Sequence, residues 1–220
     1  MRDVVIFGTG QIAEVAHYYL TEEGGRKVAA FTVDPAYIAA EKACGLPVVN
    51  FENVQDIYSP QTHDMLIAVS FRQVNKLREA KFNEARAKGY ALTSHVSPRA
   101  AVWSGFKANP NTIVMENNVI QPYVSIGQNV TMWSGNHVGH HTTIGDHCFI
   151  ASHAVISGNV TIGEGTFVGV NVTIRDNIRI GARNVLGAGA LILSDTPDNA
   201  VFMGQATEMS RVPSNRLRSI

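Results

Sequence analysis

Residues 142–174 read TTIGDHCFIASHAVISGNVTIGEGTFVGVNVTI, and their periodicity indicates the fold. The stretch carries an aliphatic side chain at every sixth residue, namely Ile144, Ile150, Ile156, Ile162, Val168 and Ile174. The same register runs from Val114 to Ile192, and all fourteen of its positions are aliphatic. Four residues after these positions the side chain is usually small or β-branched, as at Cys148 and Ala154. A strict period of six predicts hexapeptide repeats stacked as a parallel β-helix, whereas a β-sandwich would not keep it without a slip.

In such a β-helix, three hexads make one triangular coil, and successive coils stack about 4.8 Å apart. A residue therefore lies directly above the residue eighteen positions earlier in the chain. The aliphatic row is predicted to fill the interior, and stacking also satisfies the edges of the strands.

Residues 3–92 have a different pattern of alternating strands and helices. VVIFG is a short aliphatic strand, GTGQIAEVAHYYL has helical spacing, and KVAAFTVD predicts a second strand. MLIAVS (65–70) predicts another buried strand, and RQVNKLREAKFNEARAKG (72–89) predicts an amphipathic helix that ends at Gly89. This order favours a small parallel sheet of the Rossmann-like α/β type. We therefore expect an α/β domain over residues 1–93 and a β-helix domain with a C-terminal tail over residues 94–220.

Composition excludes several kinds of partner and site. The 220 residues hold 18 basic and 18 acidic side chains, so no bulk attraction to nucleic acid or to a membrane surface is expected. No apolar run approaches the roughly 20 residues that span a bilayer, and MRDVVIFG leads into a strand without a signal-peptide pattern, so we expect a cytoplasmic protein. The two cysteines, Cys44 and Cys148, are too far apart to suggest a disulfide framework or a zinc knuckle.

The segment GTGQIA (8–13) follows a strand and opens a helix, which favours phosphate binding by backbone N–H groups. The substrate-binding residues predicted here are Gly8, Thr9, Gly10 and Gln11, together with Asp34 and Pro35 at the end of the second strand. Asp34 is placed to accept a hydrogen bond from a ribose or a base. The same loop would also suit a dinucleotide-binding dehydrogenase or a purely structural turn, but the rest of the chain has no dehydrogenase signature.

Five histidines lie between residues 135 and 154, and they suggest a metal site, a proton-transfer site or surface decoration. His141, His147 and His153 occupy the same place in three successive hexads, and therefore lie on different sides of the triangular coil. Zinc needs three or four ligands close together, so no metal site is expected. His140 occupies a different place, just outside the buried row.

VGHHTTIGDHCFIA (138–151), with the later segments SGNVTIG, VGVNVTI and GAGALI, resembles the nucleotide-aminosugar N-acetyltransferases and the sialic acid O-acetyltransferase-like group. The chain is similar in this respect to the bacillosamine-pathway and perosamine N-acetyltransferases. The resemblance covers essentially the whole chain. It implies that the β-helix is left-handed, that the N-terminal domain holds a nucleotide sugar, and that the chain forms a homotrimer with active sites between subunits.

The resemblance also implies roles for individual residues. His140 corresponds to the catalytic base, and a histidine can accept a proton at neutral pH. Family members commonly have an acidic residue next, where this chain has His141, so a backbone carbonyl, His141 or a residue of a neighbouring subunit is expected to orient His140. Phe149 stands where many members have a second histidine against the cofactor. Acetyl-CoA is the implied donor, and the further positions expected to contact it are Gly169, Asn171, Gly187 and Ala188.

We therefore expect an acetyl-CoA-dependent acyltransferase that acetylates the amino group of a nucleotide-linked amino sugar, with a 4-amino-deoxy sugar favoured. The implied setting is the biosynthesis of a bacterial surface polysaccharide. The alternatives are a sugar O-acetyltransferase, a non-catalytic nucleotide-sugar-binding protein and, least favoured, a metal-dependent hydratase. No metal cofactor is expected.

Overall fold

A computed structural model describes residues 2–216 and begins with an α/β unit. Its five-stranded sheet has the order β3-β4-β2-β1-β5, and β1, β2, β4 and β5 are parallel while β3 pairs antiparallel with β4 at one edge. The strands are β1 (Asp3–Phe7), β2 (Val28–Val33), β3 (Lys42–Ala43), β4 (Leu46–Asn50) and β5 (His63–Ile67). The predicted parallel sheet is therefore confirmed, with one antiparallel strand added at its edge.

Helices cover both sides of this sheet. They are α1 (Gln11–Tyr18), which continues as a π-helical turn (Tyr19–Glu23), α2 (Val54–Ile57) and α3 (Lys76–Ala87), with short 3₁₀ turns at Pro35–Tyr37, Phe51–Asn53 and Ser214–Arg216. The prediction that α3 would begin near residue 72 is wrong. Gln73, Val74 and Asn75 have φ angles of 53°, 52° and 65°, so α3 begins only at Lys76.

From His95 onward the chain forms a stack of two-residue parallel strands. They are β6 (His95–Val96), β7 (Ala101–Val102), β8 (Ile113–Val114), β9 (Val119–Ile120), β10 (Ser125–Ile126), β11 (Thr131–Met132), β12 (His137–Val138), β13 (Thr143–Ile144), β14 (Phe149–Ile150), β15 (Val155–Ile156), β16 (Thr161–Ile162), β17 (Phe167–Val168), β18 (Thr173–Ile174), β19 (Arg179–Ile180), β20 (Val185–Leu186), β21 (Leu191–Ile192) and β22 (Val201–Phe202). Partners such as Thr143 and Thr161 are eighteen residues apart, and the stack is the predicted left-handed β-helix.

The β-helix has three flat faces, which we name by what lies outside them. The covered face (β6, β8, β11, β14, β17, β20, β22) packs against the α/β unit. The apolar face (β7, β9, β12, β15, β18, β21) exposes aliphatic side chains such as Val155 and Leu191, and the polar face (β10, β13, β16, β19) exposes Ser125, Thr143, Thr161 and Arg179. Inside, the sixth-residue aliphatics form one continuous core with Val124, Cys148 and Ala154, as predicted.

Left-handed backbone turns explain why three of the histidines recur at a spacing of six residues. His141, His147 and His153 have φ angles of 59°, 62° and 61°, and the equivalent place in other coils holds residues such as Asn159 or Gly165. Asparagine, histidine and glycine tolerate this region better than β-branched residues do. The spacing of these histidines therefore follows the corners of the coil.

Arg78 on α3 joins the two parts of the molecule. Its guanidinium is fully buried and donates to the carbonyl oxygens of Asn129 (2.6 Å), His147 (2.8 Å) and Cys148 (3.0 Å). Asn75 accepts from Arg78 at 2.9 Å and donates to the carbonyl oxygen of Gly165 at 2.9 Å. These carbonyls belong to three successive coils, so one Asn–Arg pair holds the α/β unit against the stack.

No carboxylate pairs with this buried cation within the described residues, and burial lowers the pKa of Arg78 to about 10. Because Asn75 must reach the β-helix, it takes a left-handed conformation and delays the start of α3. Leu92 bridges to Met65 of β5, so the chain passes from the α/β unit into β6 within a few residues. Within residues 2–216, no helix has the length and hydropathy needed to cross a membrane.

Candidate active site

His140 lies on the edge between the apolar and polar faces. We call the turns 121–124, 139–142, 157–160 and 175–178 the His140 edge. The His140 side chain is exposed there, and its backbone N–H donates to Oε1 of Gln121 at 2.9 Å in the coil before it. The histidine is thus held by the regular stack, with its ring at the surface.

The His140 ring contacts the ring of His141. Its Nδ1 atom lies 3.2 Å from Nδ1 of His141, whose own ring packs against Tyr123 with centroids 4.7 Å apart. A single proton between the two Nδ1 atoms makes this contact favourable. When His140 donates that proton, its Nε2 atom keeps a lone pair at the surface.

Gly158, eighteen residues after His140, lies directly beside the ring. A methyl group built on Gly158 would come within 2.7 Å of Cε1 and Nε2 of His140. A methyl group on Gly139 would come within 2.5 Å of the backbone nitrogen of Gly158. Among the described residues the N–H of Gly158 donates no backbone hydrogen bond, whereas its neighbours Ser157 and Asn159 donate to Ile174 and His140. Gly158, whose N–H donates to no described backbone carbonyl, therefore lies close to the Cε1–Nε2 edge of the imidazole.

The glycine loop opens a separate cleft of about 550 Å³ in the α/β unit. The predicted substrate residues Gly8, Thr9, Gly10, Gln11 and Asp34 all line it, while Pro35 is exposed beside Asp34 in the 3₁₀ turn and does not line it. A side chain on Gly8 would meet the carbonyl oxygen of Ala68 at 2.5 Å, and its φ of +123° also favours glycine. The cleft lies at the carboxyl ends of parallel strands, where α/β folds commonly bind ligands.

Several residues at this cleft were not predicted from the sequence. Tyr37, Ser70 and Arg72 line it, and Lys81 bonds to Asp34 from α3. Arg72 supplies a cation near the glycine loop. Its loop is fixed by Phe71, whose ring packs 5.2 Å from Phe149 and 4.4 Å from Phe167. The position of Arg72 just after a buried strand was the signal available in the sequence, but long-range packing determines its orientation.

Four of the predicted cofactor positions lie together on a different edge. The Gly169 edge, between the covered and apolar faces, comprises the turns 115–118, 133–136, 151–154, 169–172 and 187–190. Gly169, Asn171, Gly187 and Ala188 are all on it, and Gly169 donates to the carbonyl oxygen of Leu186 in the next coil. A methyl group on Gly169 would come within 2.8 Å of the backbone nitrogen of Ala188, so close stacking also requires glycine here.

The structure does not support Phe149 as a cofactor contact. Its side chain is only 3% exposed, because it lies on the covered face beneath Phe71, Phe167 and the guanidinium of Arg78. The nine-residue spacing from His140 carries the chain on to another face of the coil. Phe149 supports the domain contact instead.

Within residues 2–216, no group of three or more His, Cys, Asp or Glu side chains is arranged to hold a metal ion. The histidines on successive turns are separated by the shape of the coil. Cys148 is buried, and desolvation raises the pKa of its thiol to about 12, so it has no free nucleophilic thiolate at neutral pH.

The cleft and His140 do not meet within one chain. All residues that line the cleft belong to the α/β unit, which covers the covered face and reaches the Gly169 edge through Tyr19, Glu116 and Ser134. His140 is on the other side of the apolar face. One copy of the described chain therefore holds the two halves of the candidate site apart.

Comparisons with known proteins agree with this architecture. Residues 123–158 and 159–194 match the model for the bacterial transferase hexapeptide (six repeats). A search of curated proteins gave no match. Among solved structures, a histidine-to-asparagine mutant of perosamine N-acetyltransferase from Caulobacter crescentus, in complex with CoA and GDP-perosamine, is similar at 26% identity and a TM-score of 0.84, over 92% of this chain and 93% of that chain.

Two further structures show the same fold. WeeI from Acinetobacter baumannii AYE is 17% identical with a TM-score of 0.81, over 93% of this chain and 97% of that one. The acetyltransferase domain of PglB from Neisseria gonorrhoeae FA1090, in complex with acetyl coenzyme A, is 24% identical with a TM-score of 0.66, over 91% and 95%.

The fold belongs to the left-handed β-helix class, and its repeats over residues 123–194 match the bacterial transferase hexapeptide model. Within that class, the chain has the two-part architecture of the sugar N-acetyltransferases, and the predicted resemblance to them is confirmed. The CoA and acetyl-CoA present in those structures agree with the predicted acyl donor.

Proposed function

We propose that this protein transfers the acetyl group of acetyl-CoA to the amino group of a nucleotide-linked amino sugar, with His140 as the general base. The observation that carries the proposal is the close approach of the exposed His140 ring to Gly158 in the next coil, whose N–H donates to no backbone carbonyl within residues 2–216. The glycine-loop cleft supplies a place for the nucleotide, and the similarity to a structure that holds CoA and GDP-perosamine supports both substrates.

The contact between His140 and His141 suits a base. If His140 carries its proton on Nδ1 and donates it to His141, Nε2 is free to accept a proton from the attacking amine. This arrangement does not require a carboxylate. A neutral imidazole partner stabilises the imidazolium less than a carboxylate would, because it brings no negative charge.

The reaction then follows in two steps. The sugar amine attacks the thioester carbonyl, a carbon–nitrogen bond forms, and Nε2 of His140 takes the proton that the amine loses. The N–H of Gly158 is proposed to stabilise the oxyanion of the tetrahedral intermediate. The carbon–sulfur bond breaks, and the CoA thiolate leaves and takes the proton from His140, which restores the base.

The nucleotide is proposed to bind across the cleft of the α/β unit. Gly10 precedes α1, and the first turn of a helix offers free N–H groups to a pyrophosphate. Arg72, which also lines the cleft, adds a positive charge. Asp34 and Tyr37 line the same cleft and suit a nucleoside, by hydrogen bonding and by stacking respectively.

A homotrimer would bring the two halves together. Burying the apolar faces of three copies around a threefold axis places the Gly169 edge of one copy beside the His140 edge of the next, because these edges bound the same face. The α/β unit reaches the Gly169 edge. Phe71, which precedes the cleft residue Arg72, packs against Phe149 of β14 on the covered face. The nucleotide cleft of one copy would therefore open towards His140 of its neighbour.

The test is release of free CoA thiol from acetyl-CoA with a panel of GDP-, UDP- and dTDP-linked amino sugars and their hydroxyl counterparts. We expect turnover with at least one amino sugar and an acetamide product by mass spectrometry. His140→Ala should lower kcat by roughly 10²- to 10⁴-fold, the usual contribution of a general base. His147→Asn, which replaces a histidine of the following hexad on another edge, is the control and should retain turnover.

Two outcomes would overturn the proposal. Acetylation of the hydroxyl compounds alone would establish a sugar O-acetyltransferase. Tight nucleotide binding by a folded trimer, with no thiol release from any compound, would establish a binding protein.

A further inference from the structure

Lys81 on α3 is held in one position behind the nucleotide cleft. Its ammonium group lies 2.8 Å from Oδ1 of Asp34 and 2.8 Å from Oε2 of Glu84. The side chain is only 12% exposed, although most lysine side chains lie in solvent. Such a lysine has lost most of its freedom before any ligand arrives.

Two aromatic rings complete its surroundings. The ammonium lies 5.6 Å from the ring centroid of Phe7 and 5.3 Å from that of Phe51, within range of a cation–π interaction. Burial lowers the pKa of Lys81, but its hydrogen bonds to Asp34 and Glu84 raise the pKa by more, and the net change is upward. The side chain therefore remains charged at neutral pH.

Asp34 is fixed on both its backbone and its side chain. It follows β2 directly, and its carbonyl oxygen accepts from the N–H of Tyr37 at 2.9 Å in the 3₁₀ turn. Lys81 occupies Oδ1, and among the described residues no donor bonds to Oδ2. The carboxylate thus presents one free acceptor oxygen at the wall of the cleft.

We propose that Lys81 is a positioning residue for the nucleotide: it aims Oδ2 of Asp34 at an N–H or O–H donor of the nucleoside. Its charge also offsets the repulsion between Asp34 and the pyrophosphate. This role rests on the proposed function, since it requires a nucleotide in the cleft. It assigns nucleoside recognition to a pair of residues, of which the sequence indicates only Asp34.

The test is calorimetric binding of GDP and UDP, and of their 2′-deoxy forms, to the full-length protein. We expect Lys81→Met to weaken binding of the preferred nucleotide about tenfold. Lys81→Arg should bind that nucleotide with most of the wild-type affinity. Binding of acetyl-CoA should not change. A loss of affinity for the 2′-deoxy form in the wild type assigns the donor to the 2′-OH of the ribose, whereas equal affinity assigns it to the 3′-OH or the base, and both results agree with the proposal.

Lys88→Met is the matched control. Lys88 also lies over Phe51, at 5.2 Å, but bonds to the carbonyl oxygen of Glu52 and to Gln55 and has no contact with Asp34. Its replacement should leave nucleotide binding unchanged.

The double variant separates positioning from general support of the fold. If Lys81 acts through Asp34, then Lys81→Met should have little further effect in an Asp34→Asn background. Wild-type affinity in Lys81→Met, or a full tenfold loss in the Asp34→Asn background, would overturn the role of Lys81 alone. Failure of the wild-type protein to bind any of the nucleotides would instead overturn the proposed function, and this inference with it.

Discussion

The Nδ1 atoms of His140 and His141 lie 3.2 Å apart, with ring planes inclined by 84°. The contact is possible because His141 occupies the left-handed turn while His140 occupies the residue before it. A pair of neutral imidazoles shares one proton at this distance, and that proton selects which nitrogen of His140 can act as a base.

The first prediction concerns His141. His141→Gly keeps the positive φ without strain but removes the acceptor, so we expect kcat to fall about tenfold, as is common when the partner that orients a catalytic or metal-bound histidine is lost. His141→Asp should preserve turnover. It should also move the acidic limb of the profile of kcat/KM against pH to higher pH, because a carboxylate favours the protonated base.

These variants distinguish orientation from a merely structural role. Steady-state kinetics from pH 5 to 9 would measure both changes. Equal kcat values and unshifted pH profiles for wild type, His141→Gly and His141→Asp would show that His141 does not orient the base.

The second prediction concerns Gly158. Its φ does not require glycine, but an added methyl group would meet the ring of His140 at 2.7 Å. We expect Gly158→Ala to displace the imidazole and lower kcat at least tenfold with little change in Tm, since an exposed ring can move. Gly165→Ala is the control: its φ of +66° and contact with Arg183 should lower Tm while kcat is retained. Unchanged kcat in Gly158→Ala would contradict the proposed position of the His140 ring beside Gly158.

The regular β-helix can be predicted from the sequence, whereas the candidate site can be predicted only in part. The sixth-residue period predicts the coil, its core and the separation of His141, His147 and His153, because each depends on local geometry. The direction of Arg78 and the burial of Phe149 depend on where the α/β unit docks. That docking joins residues about 50 to 90 positions apart, which no local pattern records.

The cleft residues divide in the same way into those that a local pattern predicts and those that it does not. The glycine loop and Asp34 belong to one strand–turn–helix unit with a known spacing. Lys81 comes from a helix whose amphipathic pattern predicts a solvated face, and only its packing against Phe7 and Phe51 reveals a second role.

The third prediction concerns the pH dependence of stability. His147 is buried, and desolvation lowers its pKa below the usual value, although Glu79, Asp146 and Glu164 act in the opposite direction. Its Nδ1 atom lies 2.8 Å from Nδ2 of Asn129 and accepts the amide proton, so the folded state needs the neutral ring.

A histidine whose pKa is lower in the folded state binds its proton more readily when unfolded. The free energy of unfolding should therefore decrease as the pH drops below about 6.5, the pKa of histidine in the unfolded state. It should stop decreasing once the pH is below the pKa of His147 in the folded state. Urea denaturation between pH 7.5 and 5 would measure this. His147→Asn, a residue that other coils carry at this place, should reduce the slope, and the remaining slope should come from His95, whose pKa burial also lowers. An unchanged slope in the variant would contradict the assignment to His147.

The last prediction concerns the apolar face. Val155 and Leu191 are 43% and 62% exposed in one chain, at outward positions of strands whose equivalents on the polar face are Thr143, Thr161 and Arg179. If three copies bury this face around an axis, Leu191→Glu places three carboxylates in one apolar contact, at a cost of several kcal/mol. We expect a monomer by light scattering, with nucleotide binding retained and turnover lost, because the cleft of one copy no longer reaches His140 of the next. Thr161→Glu should remain trimeric and active. A trimeric and active Leu191→Glu would place the interface elsewhere, and with it the surface on which the two halves of the site meet.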